Sequence, residues 1–220
     1  MPDGADATHI EVVSEIAKVD TAQWDACAGD DDPFVCHAFL DALEQSGSAV
    51  GDRGWLPQHL VARNADGRVV GAAPVYLKSH SYGEYVFDWG WADAYERAGG
   101  RYYPKLQCAV PFTPVTGPRL LVNQDLPAET RDAVADTLVA GLEEVARRHQ
   151  VSSLHVTFPT REERDRLAGA DFLPRQGLQY HLQNPGYHSF DDFLAALQSR
   201  KRKQIKRERR EVADSGLRLR

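Results

Sequence analysis

At 220 residues, with 42% hydrophobic and 26% charged content, the chain can bury one sizeable core and is neither disordered nor fibrous in composition. The formal charge of −6 is unevenly placed: residues 200–211 hold eight basic residues against Glu208 and Glu211, a local +6 that leaves −12 for the remainder. Three cysteines, an odd number without CxxC spacing, imply neither a disulfide framework nor a zinc site, and MPDGADATHIEVV at the N-terminus lacks the apolar core of a signal peptide. No apolar run approaches the roughly 20 residues of a spanning helix, so the chain reads as cytoplasmic.

Residues 10–16 (IEVVSEI) predict a strand after a short disordered tip. Asp20-Thr21 offers a helix N-cap, with Trp24 and Cys27 on one face, and a second helix is expected over 35–45. PQHLVAR (57–63) and VVGAAPVYLK (69–78) flank Asn64-Ala65-Asp66-Gly67, a hairpin signal, with Pro74 marking a bulge or an unpaired edge. The stretch 79–118 is apolar, aromatic and without a single period, and reads as an insertion holding one short helix over 91–98, stopped by Gly99-Gly100.

A brief strand at 119–122 precedes a long helix, 126–149, with Val134, Leu138, Leu142 and Val145 on one stripe. Residues 153–158 predict a central strand, and Thr160 with Glu163 forms a capping box for a helix over 161–167. Two further strands are expected at 171–173 and 178–182. Ser189 caps a last helix whose apolar positions, Phe190 to Val212, predict an unbroken run through the basic cluster to Ser215, ended by Gly216. Leu217–Arg220 reads as the start of another strand. The expected class is α/β: a mixed sheet flanked by helices over 1–187, with the insertion at 79–118, then at 188–220 a basic helix and the beginning of a truncated second domain.

That element order resembles the acyl-CoA N-acyltransferase (GNAT) fold. The wording is more specific: SHSYGEYVFDWGWADAYERAGGRYYPKLQCAVPFTPVTGPRLL at 79–121 and SFDDFLAALQSRKRKQIKRERREV at 189–212 resemble the Fem-like family of peptidoglycan-biosynthesis acyltransferases. That family is related to Fem-type peptidyltransferases, which carry two tandem GNAT-like domains and move an aminoacyl group from charged tRNA to an amine of a cell-wall precursor. The resemblance implies an N-acyltransferase with an activated acyl or aminoacyl donor, an amine acceptor and no cofactor. Ordinary GNAT enzymes hold the CoA pyrophosphate on a glycine-rich turn of free backbone N–H groups; here Pro114-Val115-Thr116-Gly117-Pro118 precedes the long helix, where prolines remove donors.

Transfer to an amine needs a base and a stabilised oxyanion. Asp88, set between Phe87 and Trp89, is the first candidate, because aromatic neighbours raise a carboxyl toward neutrality; Glu84 is the second, and Asp93 fits the same composition. Tyr82, Tyr85, Trp89 and Trp91 would supply the acceptor wall, with Tyr95 beside them, and Lys78 and Lys105 would contact substrate, as His80 and Arg119 at the same borders could. Cys108 reads as a buried inert thiol, and the histidines show no metal-ligand spacing. Arg200, Lys203, Arg207 and Arg210 fall on one helical face, a stripe suited to phosphates, to tRNA or to peripheral contact with an anionic membrane. Two other readings stay open: an acetyl-CoA-dependent N-acetyltransferase, and a non-catalytic module binding RNA or anionic membrane through that stripe.

Overall fold

A computed structural model describes residues 8–217. The chain falls into two compact units, Met1–Gln176 and Gly177–Arg220, a division ahead of the boundary expected at 187. The N-terminal tip before residue 8 lies outside the described residues, as does all but Leu217 of the strand expected at the C-terminus.

In the first unit, β1 (His9–Val13) leads to α1 (Thr21–Ala28) and α2 (His37–Gln45). Asp20 caps α1 by accepting a hydrogen bond from the Gln23 amide at 3.0 Å. The hairpin follows, but each arm is broken after one residue of offset. The first arm divides at Gln58 into β2 (Trp55–Pro57) and β3 (His59–Arg63), and the second at Pro74 into β4 (Val69–Ala73) and β5 (Val75–Lys78). Pro74 has no N–H to give to a ladder, so the pairing lapses there and resumes with new partners. The bulge expected at Pro74 is thus a boundary between two sheets, bridged by the Gln58 amide donating to the Val75 carbonyl at 2.8 Å.

One sheet has the order β1-β3-β4-β7 and is antiparallel throughout, with β7 at Leu121–Val122. The other has the order β2-β5-β6-β8, with β6 (Lys105–Cys108) antiparallel to β5 and parallel to β8 (Leu154–Val156). The stretch 79–118 is therefore not purely an insertion. It contributes α3 (Trp89–Arg97), but also β6, a fully buried inner strand of the second sheet. Residues 154–156 are a half-buried edge strand rather than the central one expected.

The first sheet is covered on both faces, which is why β3 and β4 are buried at nearly every position. Period-2 alternation sends Leu60 and Ala62 toward α4 (Ala128–Arg148), where they meet Val134, Leu138, Leu142 and Val145. Val61 goes the other way, into a cluster with Trp24, Cys27, Val35 and Leu40 of the α1–α2 layer. Each such aliphatic side chain, fully buried, contributes about 1.5–3 kcal/mol. Helix α5 (Arg161–Gly169) begins on the expected capping box, and its Glu163 also accepts the backbone amides of Arg119 and Leu120, both at 2.7 Å, so one carboxylate ties the helix to the approach of β7. The Arg119 guanidinium is spent on the carbonyls of Thr157, Val115 and Pro118 and acts as a structural pin. Burial pushes the Cys108 thiol up to about 12, as expected for an inert buried sulfur.

Neither strand expected over 171–182 forms; Leu173, Leu178, Tyr180 and Leu182 are exposed. Alternation such as LQYHL signals a strand only where a ladder partner exists. In the second unit the single long helix is two: α6 (Phe190–Ala196), on a capping box of Ser189 and Asp192, and α7 (Ser199–Asp214). The chain turns extended at Leu197, which lets α7 fold back so that Arg209 stacks over Phe190 at 4.5 Å and Lys206 comes 3.8 Å from Asp191. Gly216 then leaves the helix at φ +73°.

Candidate active site

Four ionisable side chains converge under the aromatic stretch. Lys78 ends β5 and Lys105 opens β6, directly opposite each other in the sheet register, so both side chains leave the same end of the two inner strands of the second sheet. Glu84 and Asp88 come down onto them from the segment between. Lys105 Nζ donates to Glu84 Oε2 at 2.7 Å, to Asp88 Oδ2 at 2.6 Å and to the Ser81 hydroxyl at 2.9 Å. Tyr102 donates its hydroxyl to the same Asp88 oxygen at 2.8 Å. Lys78 Nζ lies 3.9 Å from Glu84 Oε1 and 3.4 Å from the centroid of the Trp55 ring, a buried cation–π contact. Lys78, Lys105 and Asp88 are fully buried and Glu84 nearly so. Two cations against two anions make the cluster neutral as a whole, the condition under which buried charges are tolerated.

Asp88 stands at the N-cap position of α3, yet its side chain makes no capping hydrogen bond. An aspartate there ordinarily accepts from the first helical turn; here it is given over to Lys105 and Tyr102. The aromatic walls expected around it are turned outward: Phe87, Trp89 and Trp91 are 75%, 57% and 63% exposed, and Tyr82 and Tyr85 are exposed too. Trp91 carries Arg175 over its ring at 5.1 Å, and Asp93 pairs with Arg97 on the surface. Ser81, Tyr102 and Trp55 were not singled out by sequence. The Tyr-Tyr-Pro-Lys run entering β6 is the one signal that could have found Tyr102.

Burial by itself raises the Asp88 carboxyl, but hydrogen bonds from Lys105, Ser81 and Tyr102 and the charge of Lys105 outweigh it, and the group is held below its ordinary value. That reverses the expectation of a raised Asp88. Glu84 moves the other way: burial raises it, and the charges and hydrogen bond of Lys105 and Lys78 only partly offset the shift. Burial lowers Lys78 to about 7, helped by Lys105 and opposed by Glu84 and Asp88. His155 is driven down to about 4 by burial and the nearby Lys105 and is a neutral neighbour. Lys78 is the member of the cluster that can change protonation near neutrality, with the raised Glu84 as its neighbour.

Beside this cluster an open groove of about 520 Å³ is lined by Ser46, Ser48, Asp52, Arg53, Trp55, His80, Tyr82 and Phe112. Lys78 touches the same two walls, covering the Trp55 ring and donating to the Tyr82 carbonyl at 3.5 Å. Among the described residues no group of three or more His, Cys, Asp or Glu is gathered as metal ligands would be.

The first unit is thus a mixed α/β fold holding a buried acid–amine cluster beside a groove walled by Trp55, Tyr82 and Phe112. The model of the FemAB-like family, described as peptidoglycan biosynthesis/recognition, matches residues 15–220, and the chain belongs to that family. No curated protein matches it. Similar solved structures include a ribosomal-protein-alanine N-acetyltransferase from Brucella melitensis biovar Abortus 2308, 16% identical, covering 81% of this chain and 100% of that one at a TM-score of 0.46. Another is the aminoglycoside 6'-N-acetyltransferase AAC(6')-Ih from Acinetobacter baumannii, 14% identical, covering 82% of this chain and 100% of that one at 0.43. A third is AAC(6')-Iy in complex with a CoA-linked bisubstrate analogue, 15% identical, covering 81% and 99% at 0.46.

Proposed function

We propose that the protein is an N-acyltransferase in which the Lys78–Glu84 pair takes the proton from an amine acceptor bound in the groove. The observation that carries this reading is the position of Lys78: a buried amine near neutral pKa, lying on the Trp55 ring that walls the groove and 3.9 Å from Glu84. A base works best when its conjugate acid titrates near the working pH. Neutral Lys78 would accept the acceptor's proton and share it with Glu84. The freed amine would attack the acyl carbonyl, and the tetrahedral adduct would collapse as the leaving group departs with the C–X electron pair and takes up the remaining proton of the attacking nitrogen. Asp88, held as an anion, binds Lys105, which also holds Glu84 at 2.7 Å, and so it positions Glu84 rather than acting as the base.

Membership in a family described by peptidoglycan biosynthesis supports a cell-wall amine as acceptor. The test is transfer to a lysine-containing precursor peptide by the full chain, supplied in parallel with aminoacyl-tRNA and with acetyl-CoA. The rate should rise as pH passes about 7. Lys78→Met should lower it by about 10²–10⁴-fold and abolish that rise. Full turnover with an unchanged profile in Lys78→Met would remove the pair from the mechanism.

The exposed face of α7 favours an anionic partner for the second unit: Arg200, Lys203 and Arg210 make no ion pair among the described residues, and Arg207 reaches only Glu211 at 3.5 Å. A polyphosphate backbone, tRNA foremost, matches such a stripe. Replacing Arg200, Lys203, Arg207 and Arg210 by Gln should weaken tRNA binding and flatten its salt dependence. Equal binding by the variant would discard the contact. Among the described residues no helix is long and apolar enough to cross a membrane.

A further inference from the structure

We infer that the groove beside Trp55 is a binding site for a zwitterion: an amino acid or short peptide that presents a free ammonium and a free carboxylate. In the terms of the proposed function, that ammonium is the acceptor, so the inference deepens that reading and rests on it for its catalytic meaning.

Two walls of the groove are seated in the backbone. Gly83, at φ +81°, has no Cβ, and one placed there would come within 2.6 Å of the Phe112 ring. Gly54, at φ +74°, makes the same room for His80, whose ring would lie 2.3 Å from an added Cβ. The left-handed backbone and the missing side chain are both needed at these points, so Phe112 and His80 are set in place before any ligand arrives. Trp55 forms the third wall, with its ring tilted 53° to Phe112 at 5.5 Å. Its indole N–H is buried and has no acceptor in the fold, although a buried donor of this kind is nearly always satisfied.

The polar lining decides the class. Asp52 and Arg53, neighbours on the turn at Gly51–Arg53, both line the groove, and neither forms an ion pair among the described residues. The Ser46 and Ser48 hydroxyls are already bonded to each other at 3.0 Å. A neutral sugar would cover two opposite charges without answering either, whereas an ammonium facing Asp52 and a carboxylate facing Arg53 would pair both. The aromatic walls then hold the ligand's aliphatic part.

The experiment is calorimetric titration of the whole chain, without acyl donor, with four probes: the dipeptide alanyl-lysine, its form with both amines acetylated, its C-terminal amide, and N-acetylglucosamine. The free dipeptide should bind with roughly millimolar or better affinity, and blocking either end should cost roughly tenfold to a hundredfold. Asp52→Asn should erase the penalty for acetylation and Arg53→Gln the penalty for amidation. Both sit on an exposed turn, so folding is preserved and is checked by the melting curve. The Trp55 indole N–H resonance, assigned with Trp55→Phe, should move only with the free dipeptide. Equal binding of the blocked forms, preference for the sugar, or no saturable binding of the dipeptide overturns the inference. Because no transfer is measured, dipeptide binding that survives alongside an unaffected Lys78→Met turnover would sink the catalytic reading and leave the groove's ligand standing.

Discussion

The α4 side of the first sheet and the stretch from Ser81 to Lys105 bury opposite kinds of side chain. Under α4 the rule is ordinary: Leu138, Leu142 and Leu60 are inside and the charged positions face water. Across 81–105 the arrangement is turned over, with Glu84, Asp88 and Lys105 inside and Phe87, Trp89 and Trp91 outside. An apolar core is held by area removed from water, and a truncation there costs the lost area and the cavity it leaves. A buried charge cluster is held by mutual neutralisation, so removing one member strands the others. Buried charge clusters of this kind gather at functional sites, although structural ion-pair networks form them too.

The difference is open to direct perturbation. Lys105→Met should have the largest effect, since it leaves Glu84 and Asp88 buried without their common partner; a loss of about 3–5 kcal/mol is expected in urea unfolding. A loss under 1 kcal/mol would mean that the cluster is solvated in solution. Leu138→Ala should cost about 2–5 kcal/mol by leaving a cavity, and its cost should be the same at every pH where the protein folds.

Asp88→Asn separates the two regions through pH. The Asp88 carboxyl lies below its unfolded value of 3.8, so the stability it contributes is present above that value and is lost as pH falls through the folded one. The Asn variant should be less stable at neutral pH and should show a shallower loss of stability on acidification; parallel acid-unfolding curves for the two proteins would contradict this. The smallest effect belongs to the outward aromatics. Trp91→Ala should change stability by no more than about 0.5 kcal/mol, by the same urea assay, because its ring is not part of any core.

Much of the frame was legible because it rests on neighbours in sequence. Asp20, Thr160 with Glu163, and Ser189 cap the helices they were expected to cap, each by reaching three residues ahead. The stripe of Val134, Leu138, Leu142 and Val145 faces the sheet as its spacing requires. The failures have a different character. Pro74 could be read as a defect in one strand, but that it divides two sheets depends on β6 and β7, which arrive from far along the chain. Residues 178–182 alternate correctly and still form no strand, and the basic helix is broken at Leu197, where the chain turns extended and α7 comes back against α6.

For the candidate site, the sequence by itself determined the membership and not the arrangement. Lys78, Glu84, Asp88 and Lys105 stood out as ionisable residues in an aromatic stretch, and the family wording around them was specific. Only the tertiary structure decided that they meet, since Lys105 reaches Glu84 and Asp88 across 21 and 17 residues and pairs through strands set side by side. It also reversed the direction expected for Asp88, placing its carboxyl below the ordinary pKa, while Glu84 is raised and Lys78 lowered. The reason is physical: a pKa is set by burial and by which charges lie within a few ångströms, and neither quantity exists until the chain has folded.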